Sequence, residues 1–452
     1  MLVHPRVLLL SCYELGSQPN ALAWPLAFLK RAGYSATAID LAVDSLDERA
    51  VARADFIGVS VPMQTALVIA LSFVDRLRAL NPTCHLCFYG LYAVLNAEHL
   101  KRSGIDSVLA GELEEELVER VRASDLRPTT DRAKVRLDFP VPERDTLPEL
   151  SRYAHLQLEG DQRIPVGTVE TTRGCLHFCR HCPIPPVYEG RLFVVPKDIV
   201  LADVEQLFER GARHLHFADA DFLNGPRHGI AILREVHERH PELTCDFTAK
   251  VEHLLKHRRH LKELEELGCL FVVSAVESLS DRVLEELDKG HSRQDVFDVL
   301  ALVRDAGIVL RPTFVPFTPW TQHEDYLDLL RWIAREDLVE HVDAVQLTLR
   351  LLIPPGSLLL SNPSLQPRLR GLDTRALTHR WIHPDKRMDQ LQQRATSAIE
   401  AGVSAGRSQR ELFLELAELA FQPGAVDSKM ARSLSKTRVG GPPPRLTEPW
   451  FC

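Results

Sequence analysis

No stretch of about 18 consecutive apolar residues occurs in this chain, so no membrane-spanning helix is expected. There is no basic excess either. The formal net charge is −8, and lysine and arginine are interspersed with acidic residues. A nucleic-acid-binding protein would show a basic face, so nucleic acid is not an expected partner. The start, Met1-Leu2-Val3-His4-Pro5-Arg6, lacks the charged-then-apolar order of a signal peptide, and a cytoplasmic location is the expectation. The nine cysteines do not suit a disulfide framework, being odd in number with three crowded into one short motif. No internal repeat is visible. What remains is a chain of 452 residues with 45% hydrophobic and 26% charged residues, ordinary for two or three globular domains.

Residues 1–125 read as an open α/β unit. Short apolar runs at 7–11, 35–40, 56–61, 85–90 and 107–110 alternate with helical stretches. This predicts a parallel, doubly wound sheet of Rossmann type. Ligands of such sheets sit at the carboxyl ends of the strands, where Ser11-Cys12-Tyr13, Val61-Pro62-Met63 and Tyr89-Gly90-Leu91 fall. Residues 126–164 are rich in charge and proline and read as a linker with little regular structure. A second β/α series opens near 165–170, with strand candidates at 213–218, 244–249, 269–275, 308–315 and 342–349. It predicts a partial or full β/α barrel of TIM type over 165–362. Residues 363–452 read as a helical, charged region with a proline-bounded tail ending in Cys452.

The chemistry is concentrated in Cys175-Leu176-His177-Phe178-Cys179-Arg180-His181-Cys182, just past the first barrel strand. Three close thiolates suit a [4Fe–4S] cluster and leave one iron open to a ligand that is not protein. The competing interpretation is structural zinc with help from His177 or His181, but zinc sites favour paired Cys-x2-Cys units. Cys84 and Cys87 lie three apart at a strand, where side chains point to opposite faces, and read as core residues. Cys245 and Cys269, at strand starts, read the same way. Cys12 sits over the ligand face of the first sheet and is a candidate contact. Asp219, Asp221, Lys250, Glu252, His253 and Glu277 fall at predicted strand ends on one rim, as candidate cofactor or substrate contacts. Glu114-Glu115-Glu116 and the charged run at 262–266 read as solvated helix faces.

The three cysteines at this spacing, with Phe178 before the second, resemble the radical SAM superfamily over roughly 165–360. The resemblance implies S-adenosylmethionine (SAM) chelated at the open iron and cleaved reductively. A flavodoxin- or ferredoxin-type protein would supply the electron. It also implies that Phe178, Asp219, Asp221, Lys250, Ser274, Glu277 and Gln346 lie at the cofactor. His216-Phe217-Ala218-Asp219-Ala220-Asp221-Phe222 resembles the second-strand segment near the SAM amino group. Ser274-Ala275-Val276-Glu277-Ser278 with Leu287-Asp288-Lys289-Gly290 resembles the Gly-x-Glu-Ser … Lys-Gly pattern of cobalamin-type members, with Ser274 where glycine is common. The stretch from Gln346 to Ser357 resembles the late strand on the adenine side. The amino-terminal unit resembles the cobalamin-binding domain fused to many such enzymes. It departs from the pattern: Ser11-Cys12-Tyr13-Glu14-Leu15-Gly16 replaces Asp-x-His-x-x-Gly, and Tyr89-Gly90 replaces Gly-Gly. No histidine is placed as a lower cobalt ligand, and cobalamin is left open as a third cofactor.

A narrower likeness rests on Thr171-Thr172-Arg173-Gly174-Cys175 and the segments 250–257, 314–320 and 350–354. They resemble a radical SAM group named for a Cys-Cys-Ala-Glu-Pro or Cys-selenocysteine-Ala-Glu-Pro tail. Here Glu448, Pro449 and the final cysteine remain, without the vicinal pair. Radical SAM enzymes that build carbon–arsenic bonds, as in arsinothricin biosynthesis, are similar in layout. This implies transfer of the aminocarboxypropyl group of SAM to trivalent arsenic, a soft element suited to thiolates. Cys452 and Cys12 are then the candidate catalytic thiols. The alternative is cobalamin-dependent methylation of an unactivated carbon or phosphorus in a small-molecule substrate.

Overall fold

The computed structural model describes residues 5–123, 129–133, 136–158, 162–421 and 442–447. The first sheet contains β1 (Val7–Ser11), β2 (Ala36–Asp40), β3 (Phe56–Ser60), β4 (His85–Tyr89), β5 (Ser107–Gly111) and β6 (Thr129–Ala133). Their order is β2-β1-β3-β4-β5-β6 and every pairing is parallel. β1, β3 and β4 are buried along their whole length, as their unbroken apolar runs require when helices cover both faces. Leu9 and Phe56 pack under the helix Asn20–Arg31 with Trp24 and Phe28. Leu8, Leu10 and Ile57 pack on the other face against Leu67, Ala70 and Val74 of the helix Gln64–Leu80. Cys84 and Cys87 are buried in these two opposite cores, as the strand period implies.

The second sheet is built from β7 (His155–Gln157) and β8 (Arg163–Val169), followed after a short antiparallel pair, β9 (Thr172–Gly174) and β10 (Leu192–Val194), by β11 (His214–Phe217), β12 (Thr244–Thr248), β13 (Cys269–Glu277) and β14 (Val309–Phe314). Beyond them lie β15 (Leu369–Asp373), β16 (Thr378–Trp381) and β17 (Arg445–Leu446). The sheet order is β14-β13-β12-β11-β8-β7-β17, with five parallel strands and an antiparallel edge. Of the two expected forms, the partial barrel is therefore the one adopted.

Three segments differ from expectation. Residues 342–349 form no strand; their backbone turns through 3₁₀ geometry at Val339–His341 and Ala344–Thr348. The backbone groups there are taken by side chains instead of a neighbouring strand. Gln409 accepts from Ala344 N, Gln392 donates to Thr348 O, and Tyr326 donates to Leu347 O, at 3.1, 3.1 and 3.0 Å. The region after 363 is not helical throughout, because β15 and β16 pair before the helices Lys386–Ser404 and Gln409–Ala420. The Asp373 carboxylate accepts from Arg375 N and Ala376 N and reverses the chain between them.

The expected linker also carries regular structure. β6 joins the first sheet and β7 the second. Between them Arg144 is fully buried. Its guanidinium donates to both oxygens of Asp203 at 2.7 and 2.8 Å, to Gln18 and Asn20 at 2.8 and 2.9 Å, and to the Thr168 carbonyl at 2.9 Å. One side chain thus ties both sheets to the connector. β17 lies against β7, with Leu446 packed beside Leu156, Val166, Phe271 and Val273. Cys452 falls outside the described residues. Among the described residues no helix is long and apolar enough to cross a membrane.

Candidate active site

β8 delivers the chain to the cysteine loop. Gly174 turns it with φ +80°, and a Cβ there would meet the Tyr188 ring at 2.7 Å, so only glycine fits. Cys175 and Cys179 are buried, Cys182 is half-buried, and all three are free thiols. Asn224 Nδ2 donates to Cys175 Sγ at 3.4 Å. Burial pushes Cys182 up to about 12, and the neighbouring Cys179 and Cys175 push it further in the same direction. Burial opposes ionisation of Cys175 and Cys182, and a metal cluster supplies the counter-charge that thiolates there need. This donor set fits a [4Fe–4S] cluster.

Glu277 stands at the end of β13 with φ +66°, a strained value for a side chain of its size. Its Oε1 lies 3.2 Å from His181 Nε2 and 3.4 Å from Lys289 Nζ. Burial would raise its carboxyl, but Lys289 and His181 outweigh that and hold it at about 2. Lys289 in turn lies close enough to Cys179 and Cys182 to feel their charge. Glu277, Lys289 and His181 therefore face the cysteines as one charged group. Phe178 is 52% exposed and lies over Gly190, where a Cβ would touch its ring at 2.6 Å. Gln346 has a buried Oε1 without a hydrogen-bond partner. Ser274 donates to the Ala249 carbonyl at 2.8 Å and holds two strands together.

The neighbouring strand ends on the same rim carry the remaining candidates. The Asp219 carboxylate accepts from Thr171 N at 3.0 Å and from the hydroxyls of Thr171 and Thr172. It braces the base of the cysteine loop, and burial raises it to about 6. Asp221 accepts from Leu223 N and Lys250 N at 3.0 and 3.2 Å. Lys250 Nζ donates to Glu252 at 3.2 Å. Cys12 is not in this group. It lines a separate cleft with Tyr13, Arg152, His155 and Thr447, where burial and Asp40 push its thiol up to about 12.

Between the carboxyl edge of the first sheet and the mouth of the half-barrel lies a cleft of about 290 Å³, lined by Glu14, Trp24, Tyr89, Glu114, Arg173 and Ala220 among others. Arg173 is its organising residue. Its guanidinium lies 2.8 Å from Glu114 and from Glu170 and 3.7 Å from Glu112. It lies over the rings of Trp24 and Phe139, at 5.2 and 5.0 Å, and these two rings meet edge to face beside it. Burial would lower it, but Glu114, Glu170 and Glu112 raise it well above its usual range. Glu114 is therefore not a solvated face residue: it is buried against Arg173, because the cysteine loop docks on that end of its helix. Burial lifts the Glu14 carboxyl to about 8, against N–H donation from Ala21 and Asn20. Trp24 Nε1, Asn20 Nδ2, Glu112 Oε2 and Glu114 Oε2 are buried here without hydrogen-bond partners. Among the described residues no histidine lines the cleft. Sequence reasoning missed Glu14, Trp24 and Glu112; Arg173 was visible as part of Thr-Thr-Arg-Gly-Cys, without its role.

Comparison with known proteins places this geometry. Residues 169–333 match the radical SAM superfamily. An uncharacterized methyltransferase of Pyrococcus horikoshii is 23% identical over 202 residues, covering 44% of this chain and 42% of the relative. Hopanoid C-3 methylase of Methylococcus capsulatus is 22% identical over 340 residues, covering 70% and 64%. The chain thus spans less than two thirds of the length of these curated relatives. TsrM of Kitasatospora setae, a radical SAM methyltransferase solved with cobalamin and a [4Fe–4S] cluster bound, superposes with a TM-score of 0.59 at 17% identity over 74% of this chain and 71% of that one. OxsB, a cobalamin-dependent SAM radical enzyme with aqua-cobalamin bound, gives 0.68 at 15% identity over 89% and 68%. With three free thiols on the loop after the first strand of a half-barrel, residues 169–333 of this chain form a radical SAM domain.

Proposed function

We propose that this protein is a cobalamin-dependent radical SAM methyltransferase acting on an unactivated carbon or phosphorus of a small-molecule substrate. The observation that carries this is the cleft. It opens from the carboxyl edge of a doubly wound sheet directly onto the elements that bear the cysteine loop. Its residues suit cobalamin in kind. Trp24, Pro62, Leu91 and Leu113 are apolar walls for a flat macrocycle. Glu114 Oε2, buried without a hydrogen-bond partner, is an acceptor for an amide at its rim. Among the described residues the lining offers no imidazole to cobalt. When bound, the cluster supplies the electron for SAM cleavage and cobalamin carries the methyl group.

The chain's own residues then have separate duties. Cys175, Cys179 and Cys182 hold the cluster. Glu277, with Phe178 and Gln346, contacts SAM, and Lys289 keeps Glu277 ionised. Lys250 and Asp221 border the same space from the neighbouring strand ends. Arg173 and Asp219 set the position of the cysteine loop relative to the cleft. The arsenic reaction rests on a tail whose last residues lie outside the described ones, and the relatives point to methyl transfer instead.

The test is to incubate the anaerobically reconstituted protein with SAM, a reductant and hydroxocobalamin, and to identify the SAM fragments by mass spectrometry. S-Adenosylhomocysteine that appears only with cobalamin, and only when the three cysteines are intact, supports the proposal. Methylthioadenosine that rises with trivalent arsenic and ignores cobalamin would overturn it in favour of aminocarboxypropyl transfer.

A further inference from the structure

Outside the cysteine triad, His177, His253 and Asp221 bring ligand atoms within 4.8 Å of one another. Each comes from a different element. His177 lies on the cysteine loop, Asp221 follows β11, and His253 lies in the helix Val251–Lys256 after β12. The two imidazoles face each other, with Nε2 atoms 3.1 Å apart and ring centroids at 4.6 Å. Two imidazole ligands of one ion, with bonds of about 2.0–2.1 Å, sit about 2.9–3.4 Å apart. The observed separation falls in that range.

A second observation points the same way. His253 Nδ1 is buried and has no hydrogen-bond partner, although Asp221 Oδ2 is only 2.8 Å away. The Asp221 oxygen is therefore beside the ring without being committed to Nδ1, while Nε2 is the nitrogen turned toward His177. Asp221 is held in place by Leu223 N and Lys250 N, one on each oxygen, and each oxygen keeps a further lone pair. Glu252 Oε2 lies 3.7 Å from His177 Nδ1 and also accepts from Lys250 Nζ. It occupies the position of a carboxylate that would orient His177 with Nε2 free to ligate, and it draws the lysine charge toward itself.

We propose that His177, His253 and Asp221 form a binding site for one divalent first-row transition ion, separate from the cysteine-held cluster. Two imidazoles and one carboxylate suit zinc or ferrous iron and leave positions for an oxygen ligand. The ion would tie the cysteine loop to the helix after β12, beside the rim where Lys250 and Asp221 stand. This proposal is independent of methyl transfer and does not require cobalamin.

The test is metal content and Co²⁺ titration of the reconstituted full-length protein. Cobalt absorbs when ligated by nitrogen and oxygen, and zinc is counted by mass spectrometry apart from cluster iron. The expected result is one zinc or cobalt equivalent per chain in the wild type and in a Cys175→Ala/Cys179→Ala/Cys182→Ala variant. His253→Ala and His177→Ala should each weaken cobalt binding on the order of 100-fold, since even losing an outer partner of a ligand costs about 10–100-fold. His177 is on a partly exposed loop, so its variant keeps the test sound if His253→Ala unfolds. Binding that survives both histidine changes, or that disappears only with the cysteines, would overturn the site, as would a wild type that takes up no such ion.

Discussion

Arg173, two residues before Cys175, places its Nη1 2.8 Å from Glu114 Oε1 of the first α/β unit. The cysteine loop is thereby registered against the other half of the molecule by a buried ion pair. With the Trp24 and Phe139 rings against the guanidinium and Glu170 and Glu112 beside it, Arg173 joins three carboxylates in one cluster.

Removing that cation leaves buried carboxylates uncompensated. Arg173→Met should lower unfolding stability by about 3–5 kcal/mol, the usual cost of breaking one side of a buried pair. Denaturant unfolding would measure it. Adding Glu114→Gln should restore part of the loss; a single variant as stable as the wild type would remove the ion pair from the account of the fold.

The Glu14 carboxyl is lifted by burial from 4.5 to about 8. Between those values the folded chain retains a proton that the unfolded chain has lost, so stability should fall as pH rises through the window. Urea midpoints of the metal-free, cofactor-free protein should decline from about pH 4.5 to 8. Glu14→Gln should flatten that slope. An unchanged slope would show that Glu14 titrates normally.

Glu277 has the opposite sign. Lys289 and His181 hold it at about 2 despite burial. Its contribution to stability is present above 4.5 and lost as pH falls toward 2. Glu277→Gln should be destabilised at neutral pH, converge with the wild type in strong acid, and bind SAM more weakly because Lys289 loses its counter-charge. Equal acid profiles would rule out this pairing as a source of stability.

Gly190 sits at φ +72°, with space for a Cβ taken by the Phe178 ring at 2.6 Å. Gly190→Ala should cost about 1–2 kcal/mol in the left-handed backbone region and displace Phe178. Equilibrium dialysis of the cluster-loaded protein should then show weaker SAM binding. Unaltered affinity would mean that Phe178 does not touch SAM.

Local chemistry was legible in the sequence because it needs no long-range information. Three cysteines on one short loop converge whatever surrounds them, and unbroken apolar runs such as Val7–Ser11 announce strands covered on both faces. Alternating β and α patterns then imply parallel sheets, and the loops after their strands carry the site. Pairings across the chain were another matter. Residues 342–349 have the composition of a strand, but a strand needs a neighbour, and here Gln409, Gln392 and Tyr326 take the backbone groups instead. Glu114 sits in a charged run that resembles any solvated helix face until Arg173 docks on it. Arg144 looked like linker, yet its five hydrogen bonds join both sheets. His177 and His253 lie 76 residues apart, and only the fold sets their nitrogens at 3.1 Å. The thiol donor set and the β/α alternation of the two main sheets could be read without the fold, since both follow from neighbours along the chain; the pairings of β7, β15 and β16 could not. The tertiary structure decided which charges are buried, which are paired and where the cleft opens, because those depend on groups that meet only after folding.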